Sequence, residues 1–372
     1  MPIRICHVIA GLSVGGAETV LLRLILSQPD STYHHSVVAL TPGGAMRPQF
    51  DAAGIPVVEL NFSRAPLGSF FRLIRLLRKS RPAIVHTWLY HADLIGGIAA
   101  RLAGVGPVVW CVHSTDFTST RWSRTVLLRR LCAFISGAVP RAVVYVARSA
   151  QELHVRLGYR VRRSAVIPNG FSCQQAPPLP EIVRLRPPGP AAIVGWVGRY
   201  SPDKDIPCFL NALQLLAGAE PNFAVVMVGS GLDKTNAALI AAIKERSLER
   251  HISLLGLRPD VASCLASFNI FCLSSRSEAF PLVLGEAMAA GLPCVSTDVG
   301  DVRLLLGDTG LIVPPEDPAA LASALGEMLA LPGFARSELG ARAAARIRSE
   351  YSLASTSRQY RSLYVELLGS TS

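Results

Sequence analysis

LSSRSEAFPLVLGEAMAAGLPCVSTDVGD, residues 273–301, changes character twice, and the fold is read from those changes. An apolar run ends near Leu273, and polar residues then lead to Pro281. The fixed φ of proline suits the first position of a helix. Helical spacing of apolar residues continues to Gly291, which suits a left-handed C-cap. A second apolar run starts at Pro293. Strand, loop, helix and strand in that order form the unit of a parallel sheet. Unpaired backbone N–H groups near Phe280, Pro281, Leu282 and Val283 would sit at the positive end of the helix dipole, an environment suited to a diphosphate. Glu278 falls in the loop and Glu286 about one turn inside the helix. There one carboxylate can accept a sugar hydroxyl and the other the two adjacent hydroxyls of a ribose. Taken singly, Glu278 reads more readily as a helix-start charge and Glu286 as part of a solvated face.

The same unit recurs along the chain. Strand patterns cover 3–9, 36–40, 84–87, 108–112, 142–146 and 165–167 in the first half. In the second half they cover 192–197, 224–228, 252–254, 270–273, 293–296 and 310–313. Strands that are apolar almost throughout, alternating with helices, predict parallel sheets covered on both faces. The length of 372 residues suits two domains. The expected division is 1–173, a proline-rich linker over 174–191, and 192–352, with a C-terminal helix over about 353–368 packing back across the junction. Two doubly wound α/β domains are expected to face each other across a cleft, with ligands beyond the carboxyl ends of the strands.

Eight scattered cysteines with no CxxC pair fit buried thiols in a reducing compartment. Residues 1–11 lack the charged start of a secretory signal, and Arg129, Arg130 and Arg141 interrupt the apolar stretch 126–147. A cytoplasmic protein is expected, peripheral at the inner face of the membrane if it meets one. Net charge is +11, split unevenly: residues 1–190 hold 22 Lys+Arg against 8 Asp+Glu, and residues 191–372 hold 15 against 18. The basic half therefore faces something anionic. No nucleic-acid motif accompanies it, so anionic lipid or a phosphorylated acceptor is preferred to nucleic acid.

With 273–301 as its centre, the sequence resembles the retaining glycosyltransferases of the GT-B fold, family 4 (glycosyl transferases group 1). The E-x7-E signature of that family matches Glu278 and Glu286. GRYSPDKD (198–205), MVGSG (227–231), LGLRPDV (255–261), VIPNG (166–170) and GLSVGGAE (11–18) resemble further motifs of the family, and the likeness spans essentially the whole chain. It implies that Glu278 contacts the transferred sugar and Glu286 the ribose. It also implies that Arg199 and Lys204 neutralise the leaving diphosphate, with Gly15, Gly16, Gly198, Gly229 and Arg258 further donor contacts. Negative charge grows on that phosphate as an oxocarbenium-like centre forms, and two fixed cations stabilise it without a metal. No metal site and no cofactor beyond the nucleotide-sugar donor is expected; Asp298 and Asp301 in DVGD read as a loop. One departure stands out: Asp205 follows Lys204 where glycine is common.

His113, at the end of the strand VVWCV, is expected to touch the donor sugar, and His91 and Asp116 are candidates for the acceptor. His7, His34, His35, His154 and His251 are read as structural. In SFFRLIRLLRKSRP (69–82), Arg72, Arg75, Arg78 and Lys79 recur opposite Phe71, Ile74 and Leu77. That pattern reads as an amphipathic helix with a solvated face or, with the clusters Arg121/Arg124/Arg129/Arg130 and Arg160/Arg162/Arg163, as an anionic-membrane contact. The expected function is transfer of a sugar from a nucleoside diphosphate, UDP by preference, to a cell-envelope polysaccharide or lipid-linked acceptor, with retention of configuration. The alternatives are a GT-B sugar-nucleotide epimerase and a non-catalytic sugar-nucleotide or membrane-binding module.

Overall fold

The computed structural model describes residues 2–28, 31–114, 124–188, 191–219 and 222–369. Two compact units divide the chain: residues 1–170 with 353–372, and residues 171–352.

The first unit is built on strands β1 (Ile3–Ile9), β2 (Tyr33–Ala39), β3 (Val57–Glu59), β4 (Ile84–Trp88), β5 (Val108–Val112), β6 (Ala142–Tyr145) and β7 (Ser164–Val166). They form one parallel sheet in the order β3-β2-β1-β4-β5-β6-β7. Its helices are α1 (Gly16–Leu26), α2 (Arg47–Ala52), α3 (Pro66–Ser80), α4 (Leu89–Ala103), α5 (Arg124–Ile135) and α6 (Arg148–Arg156). The second unit carries β8 (Ala192–Val197), β9 (Phe223–Val228), β10 (Ile252–Leu254), β11 (Ile270–Leu273), β12 (Cys294–Thr297) and β13 (Gly310–Val313), ordered β10-β9-β8-β11-β12-β13. Around them lie α7 (Pro180–Val183), α8 (Ile206–Ala219), α9 (Ala237–Glu245), α10 (Val261–Ala266), α11 (Leu282–Ala289), α12 (Val302–Leu306), α13 (Pro318–Ala330) and α14 (Gly333–Glu350). The last helix, α15 (Leu353–Gly369), belongs to the first unit.

Each sheet has the Rossmann-like doubly wound order, in which the winding reverses beside its first strand. The reversal falls between β1 and β4 in one unit and between β8 and β11 in the other. The apolar strands are legible because both faces are covered: every residue of β5, β8 and β9 is buried. The sequence pattern misses β3, whose three residues are only partly buried at the sheet edge.

The proline-rich stretch is not a free linker, since the division falls at 170/171 and residues 171–191 fold with the second unit. Pro180 opens the single turn of α7, Ile182 is fully buried, and the Leu179 amide donates to Ser267 Oγ at 2.7 Å. The two crossings lie side by side within each unit. Phe171 donates its amide to the Tyr351 carbonyl at 2.9 Å, while a side chain on Gly170 would meet Leu353 Cα at 2.7 Å. Helix α15 then completes the first core. The Tyr364 hydroxyl lies 2.8 Å from His86 Nδ1, and the Tyr360 hydroxyl lies 3.4 Å from Cys111 Sγ.

Candidate active site

In the second unit, the loops leaving β8 and β11 flank the point where the winding reverses, the place where doubly wound sheets hold ligands. The β8 loop runs through Gly198, Arg199 and Lys204; the β11 loop runs through Glu278 to Pro281. Lys204 Nζ pairs directly with Glu278 Oε1, and each side chain is only 14% exposed. A charge removed that far from water persists only when paired. Ser275 Oγ donates to the same carboxylate oxygen at 2.7 Å. Trp196 Nε1 donates to Ser274 Oγ at 3.0 Å, and that hydroxyl donates to the Lys204 carbonyl, also at 3.0 Å. Thr297 Oγ1 on β12 donates to the Ser275 carbonyl at 2.6 Å. Three adjacent strands thus hold the pair. Arg199 is exposed and has no hydrogen bond or ion pair with any described residue.

Asp205 explains the departure noted in the sequence. Its backbone is left-handed, φ +47°, a conformation glycine adopts freely and aspartate tolerates better than most residues. Its carboxylate caps α8, accepting the Cys208 amide at 3.2 Å, because Pro207 has no amide to offer. Arg276 Nε closes an ion pair with the same group at 2.8 Å. The aspartate therefore fixes the loop from beneath, and Lys204 still reaches Glu278.

Helix α11 starts one residue later than expected, with Pro281 as its extended N-cap rather than its first residue. The proline has no N–H, so the outward-pointing amides are those of Leu282 and Val283, and Gly285 makes the first turn's bond to the Pro281 carbonyl at 3.3 Å. Phe280 keeps its side chain buried, stacked on Phe171 with centroids 6.1 Å apart. Its contribution to a ligand is through the backbone. Glu286 is partly exposed, and side chains on a helix lean toward its N-terminus, so Glu286 leans over the Leu282–Val283 turn. Gly291 has φ +81° and ends the helix as expected. Gly300, at φ +54°, lies against this loop: a Cβ there would sit 2.2 Å from the Glu278 carbonyl oxygen. Asp301 donates its amide to the Ala279 carbonyl at 3.0 Å, and Asp298 pairs with Arg303 at 2.5 Å, so DVGD is a clamp on the loop.

Gly229, φ +144°, lies so close to Gly198 that a Cβ would fall 1.8 Å from the Gly198 oxygen. That approach requires glycine at 229, whereas a Cβ on Gly198 would instead press on the Trp196 ring at 3.0 Å. Arg258 is engaged locally, its guanidinium forked on Asp260 at 2.8 and 2.6 Å, which raises its pKa further.

In the first unit, Gly15 is the extended N-cap of α1 and Gly16 its first residue, both at the carboxyl end of β1 beside the reversal point. His113 follows β5, with Nε2 3.2 Å from Cys111 Sγ, and burial lowers its pKa to about 4. His91 is exposed on α4, two residues beyond Leu89, whose φ of +71° is strained for a branched side chain. Asp116 and Arg121 lie outside the described residues. Of the histidines read as structural, His7 bonds His35 at 2.9 Å, His154 bonds Tyr90 at 2.7 Å and His251 bonds the Phe223 carbonyl at 3.0 Å. Sequence reasoning overlooked Ser274, Ser275, Thr297 and Arg276. Two serines directly after an apolar strand were the available signal.

A Lys–Glu pair held beside a helix start at the switch point of a doubly wound sheet marks the class of α/β proteins that take an anionic ligand there. Residues 14–175 match glycosyltransferase family 4 and residues 191–330 match the glycosyl transferases group 1, and the chain belongs to this GT-B family of hexosyl-transferring enzymes. It is 26% identical over 340 residues to an Escherichia coli enzyme, UDP-Gal:alpha-D-GlcNAc-diphosphoundecaprenol alpha-1,3-galactosyltransferase, covering 87% of each chain. It is also 26% identical over 322 residues to the Bacillus subtilis protein described as putative glycosyltransferase EpsF, covering 79% of each. In fold it resembles HepE of Anabaena, solved with UDP and glucose, with a TM-score of 0.85 and 20% identity over 98% of this chain and 100% of that one.

Proposed function

We propose that the enzyme transfers a hexose from a UDP-sugar, with retention of anomeric configuration, to a glycan or lipid-linked acceptor of the cell envelope. The carrying observation is the Lys204–Glu278 pair, held beside the amides of Leu282 and Val283 where the second sheet reverses its winding. In this reading the diphosphate takes the amides, Lys204 and Arg199; the ribose takes Glu286; and Glu278 takes a hydroxyl of the sugar. A bound diphosphate draws Lys204 away from Glu278 and frees that carboxylate for the sugar. The acceptor oxygen bonds C1 on the face the phosphate leaves, the C1–O(phosphate) bond breaks, and the hydroxyl proton passes to the departing phosphate oxygen. The growing negative charge is met by Lys204 and Arg199, and the proposal requires no metal.

UDP as the donor nucleotide is supported by the donor in the E. coli relative's name and the UDP bound in HepE. A lipid-linked acceptor is supported by the diphosphoundecaprenol in the same name. The surplus of 22 Lys+Arg over 8 Asp+Glu in residues 1–190 supports a cytoplasmic enzyme peripheral to an anionic membrane. The test is a thermal-shift panel of UDP-sugars and GDP-mannose, since a ligand of the native state stabilises by mass action. One UDP-sugar should stabilise the enzyme and Glu278→Gln should lose most of that sugar-specific shift while keeping the shift with UDP. Stabilisation by GDP-mannose alone rejects the donor, and an inverted linkage in the product by NMR rejects retention.

A further inference from the structure

Helix α5 is anchored on its inner side, where Val126 and Cys132 are buried and Cys132 Sγ donates to the Tyr90 carbonyl at 3.6 Å. Its outer side carries Leu127 at 61% exposure, Leu131 at 42% and Phe134 at 88%. Spacing of i, i+4 and i+7 places these three on one stripe. Phe134 is the most exposed of the large apolar residues described, and water solvates such a stripe poorly. Helix α4 packs against both α3 and α5, so the three helices lie side by side. Leu67 and Phe71 on α3 and Leu102 on α4 are likewise exposed. Phe71 therefore does not join Ile74 and Leu77 in the buried side of α3, as its spacing in the sequence suggested; it stands out among the arginines.

The charge on this surface is one-sided. Arg72, Arg75, Arg78 and Lys79 on α3 and Arg130 on α5 are exposed. The one carboxylate on α3, α4 and α5 is Asp93, fully buried and accepting a hydrogen bond from Thr87 at 2.5 Å. Pairing this face with a second copy of itself would set guanidinium groups against guanidinium groups with no exposed carboxylate to separate them. An anionic bilayer meets both properties at once, taking the apolar stripe into its interface and the cations onto its headgroups.

We propose that α5 is an interfacial membrane anchor, inserting Leu127, Leu131 and Phe134 into an anionic phospholipid bilayer while the basic residues of α3 and Arg130 hold its headgroups. This deepens the membrane part of the proposed function, and it is independent of the donor and the acceptor. Co-sedimentation of the full chain with phosphatidylcholine vesicles, with and without about a third phosphatidylglycerol, tests it in the absence of any sugar substrate. Wild type should bind the anionic vesicles and keep part of that binding at about 0.5 M salt, where exposed charges are screened. The variant Leu127→Ser/Leu131→Ser/Phe134→Ser changes only exposed positions. It should partition at least about tenfold more weakly and lose its salt-resistant binding. Arg72→Gln/Arg75→Gln should weaken binding at low salt and leave the salt-resistant part.

Equal binding by wild type and the apolar variant rejects the anchor and leaves an electrostatic membrane contact standing. Absence of wild-type binding to either vesicle rejects both. A concentration-dependent dimer that the apolar variant abolishes identifies the stripe as a self-association surface and likewise rejects the anchor.

Discussion

Replacing Asp205 by alanine is expected to destabilise the surroundings of α8 by about 3 kcal/mol, and replacing it by glycine by under about 1 kcal/mol. Three contributions set the difference. Loss of the cap on the Cys208 amide costs about 1 kcal/mol for alanine and a few tenths for glycine. Loss of the Arg276 contact costs either variant about 1 kcal/mol, a figure reduced because Arg276 is 42% exposed. The left-handed backbone costs alanine about 1 kcal/mol and returns a similar amount with glycine. The two variants should then differ by about 2.7 kcal/mol, roughly 100-fold in the opening equilibrium of α8. Native-state hydrogen exchange of the α8 amides measures this directly. If glycine opens α8 as readily as alanine does, the carboxylate rather than the backbone decides the position, and the account of the departure from the family pattern is wrong.

His7, His86 and His154 are fully buried, and desolvation lowers all three, His86 to about 3 and His154 to about 4. Their folded pKa values lie below the unfolded one, so their contribution to stability is complete above about pH 6.5 and is lost as pH falls below it. Asp93, raised by burial, acts in the opposite sense. Between pH 6 and 5 each of these buried histidines should cost the first unit about 1 kcal/mol; hydrogen exchange of β4 and β5 at the two pH values reads the loss, and unchanged protection refutes it. Gly300→Ala should lower kcat by about 100-fold, because its Cβ would displace the Glu278 carbonyl, now 2.2 Å away, and a shift near 1 Å costs that much. A near-wild-type kcat would show that DVGD does not clamp the loop.

Much of this was legible in the sequence, for definite reasons. Apolar runs such as 108–112 and 192–197 announce themselves because helices cover both faces of the sheet. Val57–Glu59 does not, because three half-buried residues at an edge carry no such pattern. Pro281 and Gly291 bracketed α11 within one residue, since each answers a backbone requirement local to itself. Contact between Lys204 and Glu278 was another matter. The two are 74 residues apart, and they meet only because β11 pairs with β8. Ser274, Ser275 and Thr297 are ordinary in composition, and their role arises from the order of three strands. The proline-rich stretch misled for a related reason: prolines exclude regular structure but do not prevent Ile182 from finding a core.

The interrupted first unit has a consequence for biosynthesis. Tyr360 and Tyr364, both buried in its core, are translated only after all of residues 171–352. At about 5–20 residues per second, those 182 residues occupy the ribosome for about 10–40 s. Throughout that interval the nascent first unit lacks the helix that covers His86 and Cys111, while the second unit has every strand it needs once Val313 has emerged. The first unit, though translated ahead of the second, is thus the later one to mature, and its uncovered apolar surface is what a chaperone would have most to protect during that interval.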